Sequence, residues 1–185
     1  RFMGIQSKNR KEWNIQHVAN MYMGVTTVAL YDTLGQDAQR YVVNQTELTT
    51  ILTSQDLIQK ILDLKQADDH LEEGEKRMHR LQNIVCMDSK LPADVASKAD
   101  SCNVKLYTFN EVIEKGNSNT DFKVKVPEPD DCVTFSYTSG TTGDPKGVKL
   151  THKMLCQTSC SVNTNMGNQP LCEKDTYISY LPAAH

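Results

Sequence analysis

Two hydrophobic periods alternate along this chain. A short apolar run at residues 2–5 is followed by Asn9 and, three residues on, Glu12. That spacing resembles a capping box and predicts a helix carrying Trp13, Val18, Met21 and Tyr22, with Gly24 placed to end it. Residues 25–31 are rich in β-branched side chains and read as a buried strand, residues 32–35 supply turn chemistry, and a helix is predicted around residues 37–45. The next strand is residues 48–53. Ser54 is a candidate N-cap, and Leu57, Ile58, Ile61, Leu62 and Lys65 recur at helical spacing as a core-facing stripe. A mixed charge run at residues 68–80 reads as a solvated helix end or linker. Short strands are predicted at residues 83–87 and 105–109, separated by a loop bearing Pro, Ala and Asp, and residues 127–131 form an acidic, proline-broken linker. This alternation predicts an α/β fold, a sheet with crossover helices, in which residues 25–31 and 48–53 are neighbouring buried strands.

Composition narrows the class of molecule. With 185 residues and 38% hydrophobic content, the chain can bury the core of one domain or a large piece of one. A net charge of −3 gives no global basic field of the kind that neutralises nucleic-acid phosphates, so nucleic acid is not an expected partner. No apolar run approaches the ~20 residues of a membrane-spanning helix, and the start lacks the charged-then-apolar pattern of a signal peptide. Asn44, Gln45 and Thr46 form a glycosylation sequon, which matters only in a secreted protein and is taken as chance. The six cysteines are scattered, without C-x-x-C pairs, and read as free thiols of a reducing compartment. His152, Cys156 and Cys160 would share one face of a helix, where a buried thiol face is expected rather than a metal site. The chain opens on Arg1 and closes at His185 directly after an apolar, strand-like run at residues 177–181. An internal stretch of a longer protein is the expectation.

The chemistry concentrates after residue 131. An apolar-polar run at residues 132–137 leads into Thr138, Ser139, Gly140, Thr141, Thr142, Gly143, Asp144, Pro145, Lys146 and Gly147. Glycines let backbone N–H groups converge on one anion, short hydroxyls add donors without bulk, and a lysine brings positive charge, so the string suits phosphate. It is not the Walker loop: Pro145 stands where G-x-x-x-x-G-K-[ST] needs its second glycine, and Lys146 is followed by Gly147 rather than a hydroxyl. Nor is it a serine-hydrolase elbow, since Tyr137 stands two places before Ser139 where glycine is required.

Residues 137–148, followed by Leu150, Thr151 and His152, resemble the AMP-binding signature of the adenylate-forming enzymes, without gaps. Two further stretches resemble the long-chain fatty acyl-CoA synthetases within that superfamily. One begins at Gly4 and Ile5, passes Asn9, Arg10, Glu12 and Trp13, and reaches the string Tyr31-Asp32-Thr33-Leu34-Gly35. The other is Tyr180-Leu181-Pro182-Ala183-Ala184-His185, similar to a Y-L-P-L-A-H motif with Ala183 where leucine is usual.

The resemblance implies part of the N-terminal domain of the adenylate-forming fold across residues 1–185, with the C-terminal domain absent. It implies that Thr138, Ser139, Gly140, Thr141, Thr142, Gly143 and Lys146 hold the β- and γ-phosphates of ATP, with Lys146 and Thr141 acting on the adenylation step, and that His185 lines the acyl pocket. The implied reaction joins a fatty acid to coenzyme A through an acyl-AMP intermediate and requires Mg2+. The implied location is intracellular, on the cytoplasmic face of the endoplasmic reticulum or another internal membrane, with any membrane association made through regions outside these residues. The aromatic-Gly-x-Thr-Glu motif of the family, its ribose-binding aspartate and its C-terminal lysine are not among residues 1–185, so these residues alone are expected to be catalytically incompetent. The alternatives are a noncatalytic nucleotide-binding remnant of the fold, or a ligase for another carboxylate.

Overall fold

The computed structural model describes residues 1–119, 121–138, 144–167 and 171–184. Its strands are β1 (Phe2–Gln6), β2 (Thr26–Leu30), β3 (Thr50–Thr53), β4 (Asn83–Cys86), β5 (Lys105–Thr108), β6 (Cys132–Thr138) and β7 (Lys146–Thr151). Between and after them run helices α1 (Lys11–Tyr22), α2 (Gln36–Gln45), α3 (Gln55–Asp69), α4 (Val95–Ser101), α5 (Phe109–Asn117) and α6 (His152–Asn165). The strands form one sheet in the order β5-β4-β3-β1-β2-β6-β7. Every pairing is parallel except the last, where β7 returns antiparallel to β6.

Side chains alternate between the two faces of the sheet, and helices cover both, as a parallel sheet requires. On one face Val28, Leu30, Ile51, Ile84 and Cys86 pack with Val42 and Val43 of α2, Ile58, Ile61 and Leu62 of α3, and Val95 and Ala99 of α4. On the other, Ile5, Ala29, Leu52 and Val85 pack with Trp13 of α1 and Phe109 of α5. The stripe on α3 is therefore core, as its spacing predicts. At Gly4, in the central strand, a Cβ would stand 3.0 Å from Leu48 Cδ1 and 3.1 Å from Ile51 Cγ1, so only glycine lets the layers close there.

Several expectations are corrected. The strands at residues 25–31 and 48–53 are not neighbours, because β1 lies between them. The chain runs outward from β1 to β2 and then crosses back to lay β3 on the opposite flank, a choice that periodicity does not encode. The apparent capping box at Asn9 is absent: Arg10 is the N-cap residue, no side chain caps the helix, and Glu12 pairs with Arg10 at 2.7 Å. The loop between β4 and β5 contains α4, and a capping box formed by Thr108 and Glu111 starts α5. Residues 177–181 form no strand, and Tyr177, Ile178 and Tyr180 are exposed. The helix carrying His152, Cys156 and Cys160 forms, yet Cys156 and Cys160 are exposed rather than buried.

The charge run is not wholly solvated either. Asp68 is fully buried, where it accepts the backbone N–H groups of Arg77 at 2.9 Å and Met78 at 2.7 Å and pairs with Arg40 at 3.0 Å. The carboxylate thus pins the turn beyond α3, and the Met78 side chain enters the core.

The strand order proceeds to opposite sides from β1 and from β3, which creates a switch point at the carboxyl ends of these two parallel strands, the usual place for ligands in open α/β sheets. Buried polar groups stitch this edge together. Gln39 Nε2 donates to Gln6 Oε1 at 3.0 Å, Gln6 Nε2 donates to the Tyr31 carbonyl at 3.1 Å, and Thr53 Oγ1 donates to the Gln6 carbonyl at 2.9 Å.

Candidate functional site

The predicted phosphate loop sits at the end of a two-stranded hairpin on the edge of the sheet. Its ascending strand, β6, is held to β2 by parallel pairing and by two side-chain bonds: Thr134 Oγ1 to the Thr27 carbonyl at 3.0 Å and Thr26 Oγ1 to the Cys132 carbonyl at 2.9 Å. A register irregularity between Cys132 and Thr134 bends the base of the hairpin. Beyond it the pairing is regular, with Ser136 opposite Val148, Tyr137 opposite Gly147 and Thr138 opposite Lys146.

The mouth of the hairpin is therefore framed by Thr138 and Lys146. Both side chains are exposed, and Thr138 Oγ1 donates across the strands to the Lys146 carbonyl at 3.4 Å. Among the described residues Lys146 makes no ion pair. Ser139, Gly140, Thr141, Thr142 and Gly143 lie outside the described residues, as does His185. Of the residues singled out in sequence, the structure thus brings Thr138 and Lys146 together at the two ends of the loop.

Below the mouth lies a support that the motif does not announce. The Tyr137 ring is buried over Gly147, where a Cβ would stand 3.1 Å from its Cζ and 3.2 Å from its Cε1. A side chain at that position would press on the aromatic ring that crosses the strand, so glycine suits it for reasons of space rather than of φ. Tyr137 Oη donates to Gln45 Oε1 at 2.7 Å, and Gln45 Nε2 reaches Tyr41 Oη at 3.0 Å, tying the stem to α2. Burial pushes the Tyr137 phenol up to about 12, with the charge of Tyr41 acting in the same direction. It stays protonated and keeps donating at neutral pH. The descending strand ends in a second anchor: Thr151 Oγ1 accepts from the Met154 N–H at 3.3 Å, while His152 N and Lys153 N donate to the carbonyls of Asp131 and Pro129. Both strands of the hairpin are fixed at their bases, and the loop is carried between them.

Asn9 is the second residue with a role its sequence context disguised. Its side chain turns away from α1 and bonds residues 179–183, at the carboxyl edge of the sheet. Among the described residues no group of three or more His, Cys, Asp or Glu side chains could hold a metal ion. The magnesium implied by the resemblance finds no ligand set among these residues.

The profile of the family described as AMP-binding enzyme matches residues 2–185, and the chain belongs to that family. Fatty acyl-CoA synthetase B of Dictyostelium discoideum is 37% identical over 184 residues, 99% of this chain and 25% of that protein. Long-chain-fatty-acid–CoA ligase 1 of Cavia porcellus is 37% identical over 185 residues, 100% of this chain and again 25% of the relative. The chain spans about a quarter of the length of these curated relatives. The A domain of a carboxylic acid reductase from Segniliparus rugosus, solved in complex with AMP and a co-purified carboxylic acid, superposes with a TM-score of 0.78. At 18% identity, over 100% of this chain and 30% of that one, the likeness shows the shared fold.

Proposed function

We propose that these residues are part of the N-terminal, adenylating domain of an ATP-dependent long-chain fatty acid–CoA ligase. The observation that carries the reading is the β6–β7 hairpin, which holds Thr138 and Lys146 opposite each other at the ends of a hydroxyl- and glycine-rich loop. It is supported by relatives named as a fatty acyl-CoA synthetase and a long-chain-fatty-acid–CoA ligase, which match the chain throughout its length.

In the proposed reaction a fatty carboxylate oxygen attacks the α-phosphorus of ATP. An oxygen–phosphorus bond forms, the bond to the bridging oxygen breaks, and pyrophosphate leaves. The thiol of coenzyme A then attacks the acyl carbonyl and displaces AMP. Negative charge grows on the departing pyrophosphate in the first step, so donors already aimed there lower the barrier without reorganising. The Lys146 ammonium, the Thr138 hydroxyl and the loop donors Ser139, Gly140, Thr141, Thr142 and Gly143 are assigned that task. The Tyr137–Gln45 bond keeps the stem from splaying as the loop closes on phosphate. His185, which follows the buried Ala184 directly, is assigned to the lining of the acyl pocket.

Relatives include an acyl-CoA ligase of Penicillium roqueforti and a long-chain acyl-CoA synthetase of Arabidopsis thaliana that are both named as peroxisomal, which supports an intracellular site of action. Among the described residues no helix is long and apolar enough to cross a membrane, and attachment to the endoplasmic reticulum or another internal membrane is assigned to other regions of the protein. The test is carboxylate-dependent exchange of pyrophosphate into ATP by the full-length protein. Exchange with a long-chain fatty acid, and none by residues 1–185 alone, is the expected result. Absence of exchange with any carboxylate would overturn the reading.

A further inference from the structure

We propose that Asn9 is a positioning residue that seats residues 179–184 on the carboxyl edge of the sheet and thereby sets the binding of the carboxylic acid. Three of the bonds made by its carboxamide fall on alternate residues of one segment that forms no strand. Nδ2 donates to the Leu181 carbonyl at 2.7 Å and to the Ser179 carbonyl at 3.1 Å, and Oδ1 accepts the Ala183 N–H at 2.6 Å. A fourth contact, from Nδ2 to Ser179 Oγ, is 3.3 Å.

A carbonyl at one residue and an N–H two residues later, both on the same side, is the pattern that a neighbouring β-strand reads. Here no strand can serve. Pro182 lies between the two bonded residues, restricts Leu181 to extended backbone, and has no N–H with which to continue a ladder. The Asn9 amide, one donor group and one acceptor, takes the place of the N–H and C=O of a single residue of the missing strand.

The seat is specific at its other end as well. Ala184 is buried among Ile5, Trp13 and Ala29, and Ala183 packs beside it, so the small side chains bring this segment against the core. An open cleft of about 200 Å³ remains between residues 7–9, Asp32 and the ring of Tyr180. Residue 185, which the proposed function assigns to the acyl pocket, is joined in sequence to this seated segment.

The role in binding rests on the reading of His185 as part of the acyl pocket, whereas the tether does not. The experiment therefore has two arms, both on the full-length protein. In the first, hydrogen exchange compares wild type with Asn9→Ala and with the isosteric Asn9→Asp, which keeps the volume but lacks the amide donors. The Ala183 amide should exchange about fivefold faster or more in Asn9→Ala, in line with loss of its hydrogen bond, while amides of β1 and β3 keep their protection. Unchanged protection at Ala183 would overturn the tether. In the second arm, KM for the fatty acid should rise about tenfold in Asn9→Ala and at least as much in Asn9→Asp, while KM for ATP stays within about twofold. A parallel rise in both KM values, or none in either, would overturn the positioning role. Lack of fatty-acid turnover by the wild type would count against the proposed function, with the first arm still deciding whether Asn9 holds the segment.

Discussion

At the scale of single residues, Tyr137 and Gly147 act as one unit. A methyl group at 147 would press on the Tyr137 ring at 3.1 Å, and that ring is held in place by its bond to Gln45. Gly147→Ala should therefore destabilise the hairpin by about 1–3 kcal/mol, the usual range for overpacking, read as a lower midpoint of urea unfolding in the full-length protein. Tyr137 also predicts a pH dependence. Its folded-state pKa is raised from 10.0 to about 12, so the unfolded chain loses the phenolic proton first as pH rises. The stabilisation is fully present below pH 10 and is lost as pH climbs toward about 12. The drop in unfolding midpoint across that window should be shallower in Tyr137→Phe, and an identical drop would contradict the assignment. The two residues differ in how legible they are. Gly147 belongs to a phosphate-loop signature, but the ring above it is visible only once the register places Tyr137 opposite it. Asn9 was legible in kind and not in partner: it was read as a local cap, yet its bonds reach residues 170 or more positions away, beyond the range of any spacing rule.

Elements follow the same division between local and long-range information. The strands β2 and β4 and the helix α3 were readable because each carries its own period of buried side chains. β7 was not read, since its residues 146–149 are exposed and supply no apolar alternation, and it becomes a strand only by pairing with β6. The capping box of Thr108 and Glu111 was present in sequence, but it follows a strand with no intervening turn and was absorbed into the β5 prediction. Glu111→Ala should appear as faster amide exchange in the first turn of α5. Asp68 shows how a charge run can hide a buried anchor. Asp68→Ala removes the acceptor of two backbone N–H groups and the partner of Arg40. It should destabilise the fold by about 3 kcal/mol, as loss of one partner of a buried ion pair does. A change below ~0.5 kcal/mol, the level of an ordinary surface site, would show that the turn after α3 holds itself.

Across the whole molecule, a seven-stranded sheet carries the β6–β7 hairpin at one lateral edge and residues 179–184 at the carboxyl ends of β1 and β2, the two places to which the proposed function assigns ligands. The order of strands could not be read from the chain, because placing β3 on the far side of β1 depends on which crossover closes the core. The proposed phosphate loop is of another kind: its resemblance rests on consecutive residues, 138–147, and needs no knowledge of strand order. The central claim, that this loop is a phosphate clamp acting on adenylation, is tested by separating the two half-reactions in the full-length protein. A hydrogen bond to a charged group contributes roughly 1.5–3 kcal/mol, so Lys146→Ala should lower kcat/KM for ATP in fatty-acid-dependent pyrophosphate exchange by about 10- to 200-fold, with Thr141→Ala, a neutral donor, losing less. Preformed acyl-AMP has already lost its pyrophosphate, so its conversion to the thioester should be nearly unchanged in either variant. Equal losses in both half-reactions, with circular dichroism showing an intact fold, would contradict the account and make the loop a structural element.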